Sequence, residues 1–177
     1  MAFAFTGTLN FMRYKCILNE RIDKKYDLVL CLEVAEHLEE ESAKKFIECL
    51  TNLGDLIIFS AAIPGQGGQN HLNEQFPDYW LGIFNSLDYS LIDDIRPEFW
   101  NNQKIEWWYR QNIMVLKKNA NPVEKIEHKF QIHPELYKRK LDEIVFLKKI
   151  NDNMIQGKIS PRNAFRTFIK SLIKIFI

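Results

Sequence analysis

The sequence has no excess of charge of either sign. Its 24 lysine and arginine residues balance 23 aspartate and glutamate residues, for a formal net charge of +1. Because nucleic-acid-binding domains carry clustered positive charge, composition gives no argument for a nucleic-acid partner. No apolar run approaches the ~20 residues that a membrane span needs. The first seven residues lack the positively charged segment of a secretory signal, so we expect a cytoplasmic protein.

Cysteine is also scarce. Cys16, Cys31 and Cys49 show no CxxC spacing, and two of them lie in apolar patterns, so we expect buried, reduced thiols. Hydrophobic residues make up 46% of the chain and charged residues 27%, as in ordinary globular proteins. A chain of 177 residues is long enough to bury one sizeable core.

Two β-prone apolar runs organise the first half of the chain. Residues 26–32 and 55–63 each predict a buried strand. Between them, residues 39–53 repeat apolar side chains at helical spacing and begin with acidic residues, which predicts an amphipathic helix closed by Gly54. Together they predict a βαβ unit.

The rest of the chain predicts further helices and strands. A helix begins at Pro77, strands follow at residues 89–95 and 112–116, and an aromatic helix lies between those strands. Two tail helices are predicted at 135–150 and 160–176. We therefore divide the chain into a sheet domain, residues 1–118, and a connector with a helical tail, residues 119–177.

Polar residues follow the first predicted strand where a ligand crevice would lie. In an open α/β sheet ligands bind beyond the carboxyl ends of strands, and Glu33, Glu36 and His37 project there. One alternative is that Glu36 and His37 open the helix and are solvated. Another is a metal motif, but Glu-x-x-Glu-His has glutamate where an inverted zincin motif has histidine, so we expect no metal.

A second polar stretch follows the other strand. The loop 65–68 leads into His71, Asn73, Glu74 and Gln75, which with Trp80 would build a polar pocket with an aromatic wall. The glycines do not form a dinucleotide fingerprint, because no helix begins directly after them. The simpler alternative is a flexible loop with a structural histidine.

The segments YDLVLCLEVAEHL and LIIFSAAIPGQGGQNHLNEQFPDYW carry a resemblance. They are similar to the second half of class I S-adenosylmethionine-dependent methyltransferases, in the form common among small-molecule and glycan methyltransferases, over roughly residues 14–118. The resemblance implies a partial Rossmann-like α/β sheet, mostly parallel with an antiparallel last strand. It also implies methyl transfer to a small-molecule or glycan-type acceptor.

The resemblance assigns roles to ten residues. It implies that Leu32, Glu33 and Val34 line the S-adenosylmethionine site and that His71 acts as general base or substrate orienter. His37 would face the cofactor or the substrate as a second catalytic residue. The substrate ligands it implies are Gln66, Asn73, Glu74, Gln75 and Trp80.

The family's glycine-rich cofactor loop is the part that this sequence does not match. We expect an incomplete cofactor site and an open edge on the strand at residues 26–32, which could recruit a second copy or a complementing chain. The alternative function is a non-catalytic remnant or binding subunit. An apolar stripe from Phe165 to Phe176 could contact a membrane surface, although a helix packed on protein has the same pattern.

Overall fold

The computed structural model describes residues 2–5, 12–14, 25–92, 95–118, 131–158, 160–166 and 169. The chain forms two compact units, Met1–His133 and Pro134–Ile177. The first unit therefore extends past the predicted boundary at residue 118. Most of the predicted connector, residues 119–130, lies outside the described residues.

The first unit is built on a six-stranded mixed sheet in the order β2-β1-β3-β4-β6-β5. β3 and β4 are parallel, and each other pair of neighbours is antiparallel. The prediction of an antiparallel last strand is confirmed by β6. The prediction of a mostly parallel sheet is wrong, because only one pair of described strands is parallel. The strands are β1 (Ala2–Phe5), β2 (Met12–Tyr14), β3 (Leu28–Leu32), β4 (Leu56–Ser60), β5 (Tyr89–Ile92) and β6 (Met114–Lys118).

The βαβ unit is confirmed. Helix α1 (Glu40–Leu53) connects the parallel strands β3 and β4. Its apolar stripe of Phe46, Ile47 and Leu50 is buried in the core. Burial of each such side chain contributes about 1.5–3 kcal/mol.

The other helices follow the sequence pattern with shifted ends. Helix α2 (Pro77–Asn85) begins at the predicted proline, and the aromatic stretch forms α4 (Trp107–Asn112) after the short α3 (Arg96–Phe99). In the second unit, α5 spans Pro134–Ile155 and residues 161–166 are helical. Within the described residues, no helix has the length and apolar character needed to cross a membrane. Most of the predicted apolar stripe from Phe165 to Phe176 lies outside the described residues.

The edge of β3 that we expected to be open is covered. β1 pairs antiparallel with β3 over four residue pairs, from Ala2 with Cys31 to Phe5 with Leu28. The backbone groups of β3 therefore find partners within the chain. The unpaired strand edge that we expected to recruit a second polypeptide is therefore occupied by β1.

The cysteines differ in state. Cys31 is free and fully buried in β3, and burial raises the pKa of its thiol to about 12. Cys49 takes part in a disulfide, so the expectation of reduced thiols is wrong for that residue. Cys16 lies outside the described residues.

Candidate functional site

The candidate site lies beyond the carboxyl ends of β3 and β4. Glu33 is the first residue after β3 and has a positive φ of 51°. This left-handed conformation is uncommon for a residue other than glycine, asparagine or aspartate. The Glu33 N–H lies 2.9 Å from the Ser60 carbonyl oxygen and 3.1 Å from its Oγ, so the end of β4 holds this bend in place.

The side chains of Glu33, Gln66 and Asn112, from three segments, form a closed hydrogen-bond network. Gln66 Nε2 donates to Glu33 Oε2 at 3.0 Å, and Asn112 Nδ2 donates to Glu33 Oε1 at 3.1 Å. Asn112 Nδ2 also lies 2.9 Å from Gln66 Oε1. Because β6 is antiparallel to β4, its beginning lies at the same sheet edge, which brings Asn112 to this network.

Glu36 is fully buried at the centre of the site. It lies in a single 3₁₀ turn, Ala35–His37, whose geometry is fixed because the Glu36 carbonyl oxygen accepts the N–H groups of Leu72 and Asn73. Among the described residues, neither carboxylate oxygen of Glu36 has a partner at good hydrogen-bond geometry, although the main-chain N–H groups of Glu36 and Ala62 and the Glu33 carboxylate lie close to it. Burial, with the nearby charge of Glu33, raises the pKa of Glu36 to about 8. The alternative of a solvated Glu36 is therefore wrong.

Two imidazole rings lie beside this carboxylate. The His37 and His71 ring centroids are 5.0 Å apart, and the rings are nearly perpendicular. Nδ1 of His37 is 3.1 Å from the Asn70 carbonyl oxygen, and Nδ1 of His71 is 2.8 Å from Glu74 Oε1. Both acceptors require a protonated Nδ1, so in each neutral ring Nε2 is the nitrogen with a free lone pair.

Glu74 fixes the loop around His71. Its two carboxylate oxygens accept the N–H groups of Gly65 at 2.8 Å and Gly67 at 3.0 Å, in addition to the His71 proton. The His71 ring also lies against Gly68, where a Cβ would be 2.2 Å from two ring atoms. Glu74 therefore orients His71 and the glycine loop, which leaves it little capacity as the substrate ligand that we expected.

The remaining predicted residues divide between the site and the core. Asn73 is buried and accepts a hydrogen bond from Gln75 Nε2 at 2.9 Å. Leu32 and Val34 are half-buried beside Glu33. Trp80 is 1% exposed, and its ring packs against Phe59 at a centroid distance of 5.5 Å. The prediction of Trp80 as a pocket wall is therefore wrong, because α2 turns it into the core.

Sequence reasoning missed Asn112 and the burial of Glu36. A polar pair, Gln111-Asn112, precedes the apolar β6, and an antiparallel β6 would start at the ligand edge, so a signal for Asn112 was available. Glu36 lies three residues before the acidic run at residues 39–41, where α1 begins, so the sequence did not reveal its separate position in the 3₁₀ turn.

Comparison with known proteins adds no further assignment. No family model, no curated protein and no solved structure matches this chain.

Proposed function

We propose that this chain forms the acceptor side of an S-adenosylmethionine-dependent methyltransferase that acts on a small-molecule or glycan-type acceptor. The observation that carries the proposal is the polar site beyond β3 and β4, with the two imidazoles of His37 and His71 at its centre. The antiparallel β6 next to β4 supports it, since the methyltransferase resemblance implies an antiparallel last strand.

In this proposal His71 removes the proton from an acceptor hydroxyl or amine. Its Nδ1–H is held by Glu74, so Nε2 is available to accept a proton and the carboxylate stabilises the resulting imidazolium. A general base contributes typically ~10²–10⁴-fold to a rate. In-line positioning of the acceptor contributes more, up to ~7–11 kcal/mol, and would come from the hydrogen-bonding groups around the loop.

The described residues fit S-adenosylmethionine only in part. The wall that we predicted at residues 32–34 offers one carboxylate, Glu33, and both of its oxygens already accept hydrogen bonds from Gln66 and Asn112. That carboxylate is therefore not free to hold ribose hydroxyls. We assign no reaction step to the cofactor on this basis.

Calorimetric titration of the purified chain tests the proposal. We expect saturable binding of S-adenosylmethionine and S-adenosylhomocysteine, with no binding of adenosine triphosphate at the same concentrations as the ligand control. Glu33→Ala should weaken binding at least about tenfold, because Gln66 and Asn112 lose the charged acceptor that fixes them at this wall, at a cost of ~1.5–3 kcal/mol. Glu41→Ala removes an exposed carboxylate of α1 and is the matched control. A folded chain that binds neither ligand at millimolar concentration would refute the proposal.

The second candidate function is a non-catalytic remnant or binding subunit. It is favoured by β1, which pairs antiparallel with β3 at the position where a parallel sheet would continue. In that case the chain would fold and keep the polar site but would bind no S-adenosylmethionine. The same titration, combined with circular dichroism of the folded chain, separates the two candidates.

A further inference from the structure

We propose that Glu36, His37 and His71 form a binding site for one divalent transition-metal ion. Each of the three offers one ligand atom, and these atoms lie within 4.8 Å of one another. Glu36 and His37 come from the 3₁₀ turn after β3, whereas His71 comes from the loop after β4. The two main-chain hydrogen bonds from Leu72 and Asn73 to the Glu36 carbonyl oxygen hold these segments together.

The state of Glu36 is an independent indication of a missing ligand. Its side chain is 0% exposed, and within the described part of the chain neither carboxylate oxygen has a partner at good hydrogen-bond geometry, although the main-chain N–H groups of Glu36 and Ala62 lie nearby. A buried carboxyl group without a well-placed partner carries a desolvation cost, and its ionised form is normally paired or coordinates a metal. The Glu33 carboxylate lies close to the Glu36 carboxyl, but both Glu33 oxygens already accept hydrogen bonds from Gln66 and Asn112.

The histidines show the second feature of metal ligands. A metal-bound imidazole almost always donates its other N–H to a carboxylate or a main-chain carbonyl, which fixes the tautomer and the ring orientation. Here His71 Nδ1 is bonded to the Glu74 carboxylate and His37 Nδ1 to the Asn70 carbonyl. Neither Nε2 atom has a hydrogen-bond partner among the described residues, and the Nε2 edge of His71 faces Gly68, where a Cβ would lie 2.2 Å from it. The close approach of Gly68 to the His71 ring leaves no space for a side chain there.

The donor set indicates the class of metal. Two imidazoles and one carboxylate suit Zn²⁺, Fe²⁺ or another first-row transition ion, whereas Mg²⁺ and Ca²⁺ prefer sets made of oxygen ligands alone. Three protein ligands leave at least one coordination position for water or for an acceptor oxygen. His37 is exposed, so that position can be reached from solvent. Metal binding uses the same His71 Nε2 that would act as the base in methyl transfer, so a bound metal excludes that role. The metal site rests on its own geometry and would stand if the proposed function failed.

The test uses Zn²⁺ as the probe and the full, tag-free chain after removal of metal with a chelator. We expect one Zn²⁺ per chain in competition with a chromophoric chelator, and a rise in the melting temperature on addition of Zn²⁺. Mg²⁺ at the same concentration should produce neither effect. Co²⁺ should give visible d–d absorption bands that report nitrogen and oxygen ligation.

Variants assign the binding to these residues. His37→Asn and His71→Asn should each weaken Zn²⁺ binding more than ~100-fold, beyond the ~10–100-fold expected for Glu74→Gln, which removes only the support of His71. Glu36→Gln keeps the shape of the buried side chain and should abolish the Zn²⁺-dependent rise in melting temperature. His133→Asn changes a buried imidazole outside the cluster and is the matched control.

Three results would overturn the proposal. One is a folded wild-type chain that binds no Zn²⁺ or Co²⁺ at millimolar concentration. Another is unchanged affinity in both His37→Asn and His71→Asn. The third is equal loss of binding in His133→Asn, which would mean that any disturbance of the fold mimics the effect. Because His37 is exposed, its replacement keeps the test informative even if the Glu36 and His71 variants fail to fold.

Discussion

At the scale of single residues, Tyr89 shows how one hydroxyl can join β5 to the end of α1. Its side chain is 1% exposed, and its Oη lies 3.0 Å from the Thr51 carbonyl oxygen and 2.7 Å from the Gly54 carbonyl oxygen. Thr51 lies in the last turn of α1 and Gly54 directly follows the helix, where helical partners are missing. The tyrosine therefore acts as a side-chain cap for the carboxyl end of this helix.

Replacement of this hydroxyl should destabilise the protein. Tyr89→Phe leaves the two carbonyl groups without their shared donor in a buried position, so we expect a loss of about 1–3 kcal/mol in the free energy of unfolding. Urea denaturation measures this loss. Tyr137→Phe removes a phenol hydroxyl from a side chain that is 61% exposed and should change the stability by less than ~0.5 kcal/mol. Equal effects in the two variants would contradict the capping role.

The same residue gives a prediction for alkaline pH. Burial, and to a smaller extent the charge of Asp55, raises the pKa of Tyr89 above its usual value of 10.0. Above pH 10 the unfolded chain loses this proton while the folded chain keeps it, so the free energy of unfolding should fall as pH rises. In Tyr89→Phe this part of the pH dependence should be absent. If the free energy of unfolding fell with the same slope in wild type and Tyr89→Phe between pH 9 and pH 11, the pH dependence could not be assigned to Tyr89.

At the scale of secondary-structure elements, two glycines in similar sequence surroundings have opposite roles. Gly82 lies on the exposed face of α2, and a Cβ added there meets nothing within 4 Å. Gly54 follows α1, and a Cβ there would lie 2.6 Å from the Tyr26 carbonyl oxygen and 3.1 Å from Val29 Cγ2. The main chain of Gly54 lies close to that of Tyr26 because the two residues form a parallel β-bridge.

Alanine at the two positions should therefore shift stability in opposite directions. Gly82→Ala should stabilise the protein by about 0.5–1 kcal/mol, because alanine restricts the unfolded chain and favours helix. Gly54→Ala should destabilise it by about 1–3 kcal/mol, because the contact is with backbone that cannot rotate away. Both values come from denaturation with urea, and each variant is the control for the other. A stabilising Gly54→Ala would refute the close approach.

Most of the elements after residue 25, although not most of their ends, followed from periodicity in the sequence. The predicted helix at residues 39–53 is α1 (Glu40–Leu53), since acidic residues at its start and Gly54 at its end are local signals. The strands were predicted too long, because the apolar run at residues 55–63 continues beyond the five paired residues of β4. Residues 61–63, which follow β4, lead the chain into the candidate site.

At the scale of the whole molecule, the first unit contains its own sheet and its own core. Every described strand pair and the buried apolar cluster, from Tyr26 to Leu116, lie within residues 1–133. A chain that ends at His133 should therefore unfold in one cooperative transition with near-ultraviolet circular dichroism like that of the full chain. Thermal scans of both proteins measure this. A broad transition without near-ultraviolet signal would show that the second unit is needed for folding.

The antiparallel last strand was expected only from the methyltransferase resemblance. The sequence by itself determined the α/β class, the βαβ unit and the sheet edge at which the polar residues gather. These features depend on short-range periodicity and on where strands end, both of which are local properties of a chain. The covering of β3 by β1 and the core position of Trp80 were not predictable, because each depends on which segments meet in space. The meeting of Glu36 and His37 with His71 also required the tertiary structure, since parallel strands bring together residues that are far apart in the sequence.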